Sequence, residues 1–292
     1  MIRNHLLALA GAAFTLPQIA AAAPNSSAPP VVGDVTVDAS DVLMEDAPNG
    51  VYGEPEWVQQ RRFSLTRIYV QQDPGHVGVE TWFRTRHYDD GTTTLRSKNE
   101  IEIGLPGRIE LDIYENLVDE DDGEGWHQEE VALELRYAFA DWDKIWGNPT
   151  FYFEYAFRAD GPDVIEPKLL FGGDFCKGWH WGANFIYERE VWGDEPGKEW
   201  GFSAGISKTL VDSCFSIGLE AQVTKPESED SELIAGPSIQ WRPTDNSHVD
   251  LVALAGITDN APNAECWFIL GFDFGAGEKH GGYKPTQMGD GH

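Results

Sequence analysis

Methionine and cysteine are scarce in this chain of 292 residues, with three of each, and bases are few: 21 lysines and arginines face 49 aspartates and glutamates. The formal charge of −28 argues against a nucleic-acid partner and against electrostatic attachment to an anionic lipid surface. No segment approaches the roughly 18 consecutive apolar residues of a membrane helix, so helical membrane architecture is excluded. There is no G-x-S-x-G, no H-E-x-x-H and no glycine-rich phosphate loop, and the sequence calls for no cofactor. Asp119 to Glu124 is rich in oxygen ligands but lacks the D-x-D-x-D-G spacing of a calcium loop, so no metal site is assigned. Three cysteines permit one disulfide. Cys176 and Cys214 fall near turns at one end of the expected fold and Cys266 at the other, so a bridge would join Cys176 to Cys214.

What the chain does have is a repeat. From about His76 to Phe274, stretches of alternating apolar and polar residues are broken by turns. Asn99 to Glu115 shows the unit: Ile101, Ile103, Ile109, Leu111 and Ile113 share one face across the Leu105-Pro106-Gly107-Arg108 turn, and Glu100, Glu102, Glu110 and Asp112 share the other. No helices are available to cover the oily face. Charge on one face and oil on the other then point to a barrel with lipid outside and water inside.

The first residues read differently. Arg3, the apolar run Leu6 to Leu16 and the small residues Ala20 to Ala23 have the layout of a signal peptide, expected over 1–23. Residues 24–62, with NSSAPP, APNG and GEPE, have few large apolar side chains and read as a flexible periplasmic segment or an ordered plug. The barrel is expected over 63–274, with a polar tail over 275–292.

Candidate strands fall at 63–72, 76–88, 92–105, 107–118, 128–140, 149–159, 163–174, 177–190, 198–210, 213–224, 231–242, 248–257 and 264–274. Single-chain outer-membrane barrels have an even strand number, short periplasmic turns and longer outer loops. Counting from His76, short and long connections alternate, which gives an all-β, antiparallel, up-and-down transmembrane barrel of about 12 strands with both ends periplasmic. The 63–72 strand is then supernumerary, and 141–148 is longer than a periplasmic turn should be. Trp126, Trp142, Trp146, Trp192, Trp241 and Trp267 near strand ends suit aromatic belts. A soluble sandwich with an aromatic core is the competing architecture.

The inward face carries Glu80, Arg84, Arg86, Glu100, Glu102, Glu110, Asp112, Glu134, Arg136, Glu154, Arg158, Glu166, Lys168, Glu188, Glu220 and Asp250, the candidate lumen lining. Either these charges pair and close the lumen, or the excess of acids leaves a hydrated path favouring cations or polar solutes. The bases could pair with only about half the acids, which favours a hydrated, cation-leaning lumen. For catalysis, His180 with Ser203 or Ser207 is the one arrangement of base and nucleophile on neighbouring strands. All three face inward, away from any acyl chain, so no enzyme activity is expected.

With its signal peptide, strand pattern and E-I-E-I-G-L-P-G-R-I-E-L-D-I-Y-E hairpin, the chain resembles Gram-negative outer-membrane β-barrels, and among them the transporter barrels associated with aromatic-compound (phenol) degradation pathways. The resemblance implies passive uptake of small solutes. Its implied partners are outer-membrane lipid and lipopolysaccharide, the outer-membrane assembly machinery and the solutes themselves. Phe272 and Phe274 fit the aromatic assembly signal of a last strand, but a polar tail follows them. A structural or lipid-acting barrel and a soluble periplasmic β-sandwich binding protein remain alternatives.

Overall fold

The computed structural model describes residues 43–275, apart from 122, 194 and 195. The expected signal peptide, residues 24–42 and the tail from 276 lie outside the described residues.

The alternating pattern becomes twelve strands: β1 (Val77–His87), β2 (Thr93–Leu105), β3 (Ile109–Asp119), β4 (His127–Ala138), β5 (Thr150–Arg158), β6 (Val164–Cys176), β7 (Trp179–Glu190), β8 (Lys198–Val211), β9 (Phe215–Pro226), β10 (Glu232–Thr244), β11 (Ser247–Gly256) and β12 (Ala264–Phe274). Each pairs antiparallel with its sequence neighbours, and β12 returns to β1 from Val77↔Phe274 to His87↔Ala264. The sheet therefore closes on itself, and no edge is left with unpaired backbone groups. A closed single sheet overturns the sandwich alternative, which needs two sheets packed face to face.

Side-chain period sets the two faces. On the 99–115 hairpin, Glu100, Glu102, Glu110 and Asp112 are at most 1 % exposed, whereas Ile101 and Ile113 are 47 % and 40 % exposed. Phe157, Phe185, Leu219, Leu251 and Phe274 stand outward in the same way on other strands. A soluble monomer does not hold so much apolar surface in water; a hydrocarbon surround removes the cost.

Tight turns at 106–108, 177–178, 212–214 and 245–246 lie at the end where β1 begins, here the terminal end. Gly107 and Arg108 take positive φ of 89° and 62° there, as a tight reversal requires.

Residues 63–72 are not a strand. The alternation of Phe63, Leu65, Arg67 and Tyr69 imitates one, but the segment meets side chains from β2, β3, β7, β8 and β9 rather than one neighbouring edge. Those partners face inward on opposite sides of a closed cylinder, so the segment lies in the lumen. The described part of 24–62 is likewise ordered: Leu43 to Pro55 lines the terminal end, and a four-residue helix, α1 (Glu56–Gln59), leads inward. The barrel wall begins at Val77, not residue 63.

The long 139–149 connection has a physical reason. Trp142, expected in an aromatic belt, is 5 % exposed and meets Trp57 and Tyr69 edge-on at 5.7 and 5.2 Å. The Tyr69 hydroxyl donates to the Ala140 carbonyl at 2.8 Å, and the Trp142 N–H donates to the Tyr52 carbonyl at 3.0 Å. The loop is long because it folds over the base of the inner segment. Trp267 also leaves the belt, facing inward beside Trp82 at 5.3 Å. Cys176, Cys214 and Cys266 are all free, so the Cys176–Cys214 bridge is not formed.

Candidate functional site

The lumen divides into a filled terminal half and an open far half. Filling begins with a notch. Gly172, Gly182 and Gly205 lie side by side in register across β6, β7 and β8. Glycine weakens a strand and is expected where another group must come close. A methyl group at Gly182 would lie 2.8 Å from Ile68 Cγ2, and one at Gly205 would lie 2.5 Å from the Phe63 ring. Phe63 and Ile68, 2 % and 3 % exposed, are seated in that notch, with Trp57, Val58, Tyr69 and Val70 packed around them. Each large apolar side chain buried this way contributes roughly 1.5–3 kcal/mol.

Charge locks the segment to the wall. Arg61 enters the wall acids, with its Nε 2.7 Å from Glu80 and its Nη2 reaching Glu100 at 3.4 Å and Glu102. Arg67 Nη2 lies 3.2 Å from Glu100. Arg136 on β4 donates to Glu110 at 2.7 Å, Asp112 at 2.6 Å and Glu134 at 2.5 Å, and its Nη1 also donates to Gln71 Oε1 at 2.6 Å. Backbone donors complete the set. Glu220 accepts the N–H groups of Ser64 (3.0 Å) and Leu65 (2.7 Å), and Glu110 accepts those of Gln71 and Gln72. Asn184 bonds both the N–H and the carbonyl of Arg67, at 2.8 and 2.6 Å. Asp250 accepts from His248 Nδ1 at 2.7 Å, and His248 Nε2 faces Glu80 at 3.2 Å.

Three of the carboxylate groupings close enough to share an ion are Glu80–Glu100–Glu102, Glu100–Asp112–Glu134 and Glu102–Glu110–Asp112. Arg61 and Arg136 already occupy them, so these are ion-pair networks and not a metal centre. The fourth, Glu45–Asp46–His180, has Arg62 2.9 Å from Glu45. His180 is fully buried, its Nδ1 2.6 Å from Asp174 and its Nε2 3.2 Å from Glu45, with Trp57 stacked on the ring at 4.2 Å. Ser203 bonds Thr66 and Asn184 instead. These contacts give no base–nucleophile pair between His180 and Ser203 and make both part of the plug's seat, and the buried Ser207 hydroxyl makes no hydrogen bond to His180.

Two carboxyls outside the strands are pushed in opposite directions. Burial works to raise Glu45, but the Arg62 charge and hydrogen bonds from His180, Thr209 and Arg62 hold it at about 2. Burial pushes Glu54 up to about 7, and the neighbouring Asp73 carboxylate adds to the rise. Glu54 Oε2 accepts the Tyr52 N–H at 3.0 Å, and Asp73 accepts from Val51 and Gln59 at 2.9 and 3.0 Å. The pair ties the two ends of the inner segment together at the mouth.

The far half is a cavity of about 270 Å³ whose floor is the segment's tip, Ser64, Leu65 and Arg67. Arg84, Arg86, Glu154, Glu166 and Lys168 of the expected lining surround it. Arg158 and Glu188 face each other nearer the far rim at 3.6 Å. Glu80, Glu100, Glu102, Glu110, Asp112, Glu134, Arg136, Glu220 and Asp250 do not line it; they are the dry seat of the plug. Six bases line this cavity against two acids, Glu154 and Glu166. Counting strand residues alone missed Arg61 and Arg67, which come from the segment and neutralise wall acids, and Arg62, which pairs with Glu45 outside the wall. The visible signals for them were the unplaced Arg61-Arg62 dipeptide and the three glycines in register.

A family model described as "Putative MetA-pathway of phenol degradation" matches residues 154–265, from β5 into β12. The NanC porin superposes with a TM-score of 0.50 at 14 % identity, over 68 % of this chain and 98 % of that one. An outer membrane channel from Pseudomonas putida F1 superposes with a TM-score of 0.52 at 9 % identity, over 70 % of this chain and 98 % of that one. No curated protein matches the sequence. The fold is that of the outer-membrane β-barrels. In outer-membrane barrels the apolar outer face meets lipid and the short turns are periplasmic.

Proposed function

We propose that this barrel is a passive channel for small solutes whose conductance is set by the inner segment 56–76. The observation that carries this reading is the division of the lumen: an open outer vestibule ends on a floor made by a loop that enters and leaves through the same mouth. A purely structural barrel has no need of a cavity. A solute entering from outside would reach Ser64–Arg67, and passage would follow displacement of that tip. The matches to a porin and to a channel support the reading at the level of fold.

Residence in the outer membrane, contact with lipopolysaccharide and insertion by the outer-membrane assembly machinery belong to the same proposal. The apolar outer band, with Phe272 and Phe274 on the last strand, supports them. No lipid chemistry is proposed, because the buried His180 is bonded to carboxylates and not to a serine. The cation preference expected from the acid count is not carried into the proposal, because those acids are paired with Arg61, Arg67 and Arg136.

Planar-bilayer recording on the folded, full-length protein tests the channel. Small, infrequent conductance steps are expected, becoming larger when the notch is filled as described in the Discussion. A heat-modifiable, folded barrel that conducts in neither state would overturn the reading.

A further inference from the structure

The wall of the outer vestibule formed by β1 and β2 carries a charge arrangement that the plug does not explain. Arg84 and Arg96 are direct cross-strand partners on the inward face, and Arg86 follows Arg84 two residues along. Directly opposed like charges destabilise a sheet unless something else compensates them. Arg96 and Arg86 have their own acids, Glu129 for one and Glu265 (2.5 Å) and Glu232 (3.4 Å) for the other. Arg84 has none of its own: among the described residues it makes no ion pair or hydrogen bond, it shares only the field of Glu265 and Glu129, which are already bonded to Arg86 and Arg96, and it lies over the Trp267 ring at 5.3 Å.

Arg67 and Arg96 line the same cavity, and two of their buried nitrogens, Arg67 Nη1 (4.0 Å from Glu102) and Arg96 Nε, make no hydrogen bond. Trp82 and Trp267 wall the cavity beside these cations. A half-buried guanidinium with no bonded counter-charge is costly, whereas one that receives an oxyanion makes short, charge-assisted and often bidentate bonds. At about 270 Å³ the cavity sits just below the usual range for small-molecule sites, which begins near roughly 300 Å³, so it selects a small ligand.

We infer that Arg84 is the anchor of a binding site for the carboxylate or phosphate group of a small organic solute, with Arg67 and Arg96 supplying further donors. The site rests on the channel reading, since it names the solute class that the vestibule would select. It lies deeper than the acids of the rim, Glu188, Glu190 and Glu199, whose field is shortened to about 8 Å by physiological salt.

Calorimetric titration of the detergent-folded, full-length protein tests the site without requiring transport. The probes are benzoate, inorganic phosphate and the neutral benzamide, against wild type, Arg84→Gln and Arg84→Lys. Saturable binding of benzoate or phosphate is expected, weakened at least tenfold in Arg84→Gln and partly restored in Arg84→Lys, which keeps the charge but loses the fork. Benzoate alone binding identifies a carboxylate site, and phosphate alone a phosphate site. Should Arg84→Gln fail to fold, Arg84→Lys against wild type still reads the loss of the fork. Equal binding of benzoate and benzamide, equal affinity in Arg84→Gln and wild type, or no binding of either anion would overturn the proposal. A barrel that binds benzoate but never conducts keeps the site and loses the channel. One that conducts without binding either anion loses the site alone.

Discussion

Phe63 rests directly on Gly205, so closely that a methyl group at that glycine would come within 2.5 Å of the ring. The contact makes Gly205 the means of opening the barrel without touching a charge. Gly205→Val is expected to lift Phe63 from its notch and leave the strand ladder intact, since valine suits a strand. Larger conductance steps than wild type, together with faster proteolysis between residues 56 and 72, are the outcome to look for. Unchanged conductance in a folded variant would mean that the notch does not hold the plug.

Arg61→Gln removes the base shared by Glu80, Glu100 and Glu102. Breaking a buried pair from one side typically costs about 3–5 kcal/mol, because the remaining charge is left uncompensated. We expect a lower urea midpoint and loss of protection of residues 56–72 from protease. A double variant, Arg61→Gln with Glu102→Gln, should recover part of the loss. No recovery would mean that the ion pair is not what anchors the segment.

The Glu54–Asp73 pair gives the mouth a pH dependence of known sign. Glu54 keeps its proton in the folded state up to about 7, against an ordinary value of 4.5. Its contribution to the docked segment is therefore complete below about pH 4.5 and lost as pH rises through about 7. Conductance should rise between pH 5 and pH 8, and Glu54→Gln should flatten that change. Glu45 acts in the opposite sense. Held at about 2, it stabilises the mouth above pH 4.5 and that contribution fades as pH falls through 2.

Trp142→Ala takes the cover off Trp57 and Tyr69. Truncating a buried tryptophan costs roughly 3–5 kcal/mol, here concentrated on the base of the plug. A red shift of tryptophan emission and a lower temperature of plug release, with barrel heat-modifiability retained, are expected.

Alkylation of denatured, unreduced protein followed by mass spectrometry should find three modified cysteines. Two unmodified residues would restore the disulfide between Cys176 and Cys214.

The wall was legible from sequence because its cause is local. A strand in a two-faced sheet must alternate, and Ile101, Glu102 and Ile103 state their faces without reference to anything else. The plug was not legible, because its cause is distant. Residues 63–72 also alternate, and nothing local says that Phe63 and Ile68 are held by Gly205, Gly182 and Gly172, which lie more than a hundred residues away in the chain. The same distance hid the charge balance: Glu80, Glu100 and Glu102 looked unpaired because Arg61 sits outside any strand. Arg84, by contrast, was placed on the inward face from the sequence, but only the cavity beside it reveals that it lacks an acid.

The loop that fills the lumen is continuous with β1, yet much of its grip comes from β7 to β10, which follow more than a hundred residues later. It enters and leaves by the mouth that the β1–β12 seam completes. The acids of β1 to β3 face the lumen, so the loop and the wall can part without turning a carboxylate to the apolar outer face. The loop is therefore a tethered stopper, joined to the wall at Val77 and unable to travel far from its seat. A variant that loosens the loop should therefore leak and reseal with the wall intact, because what comes out of its seat is never lost.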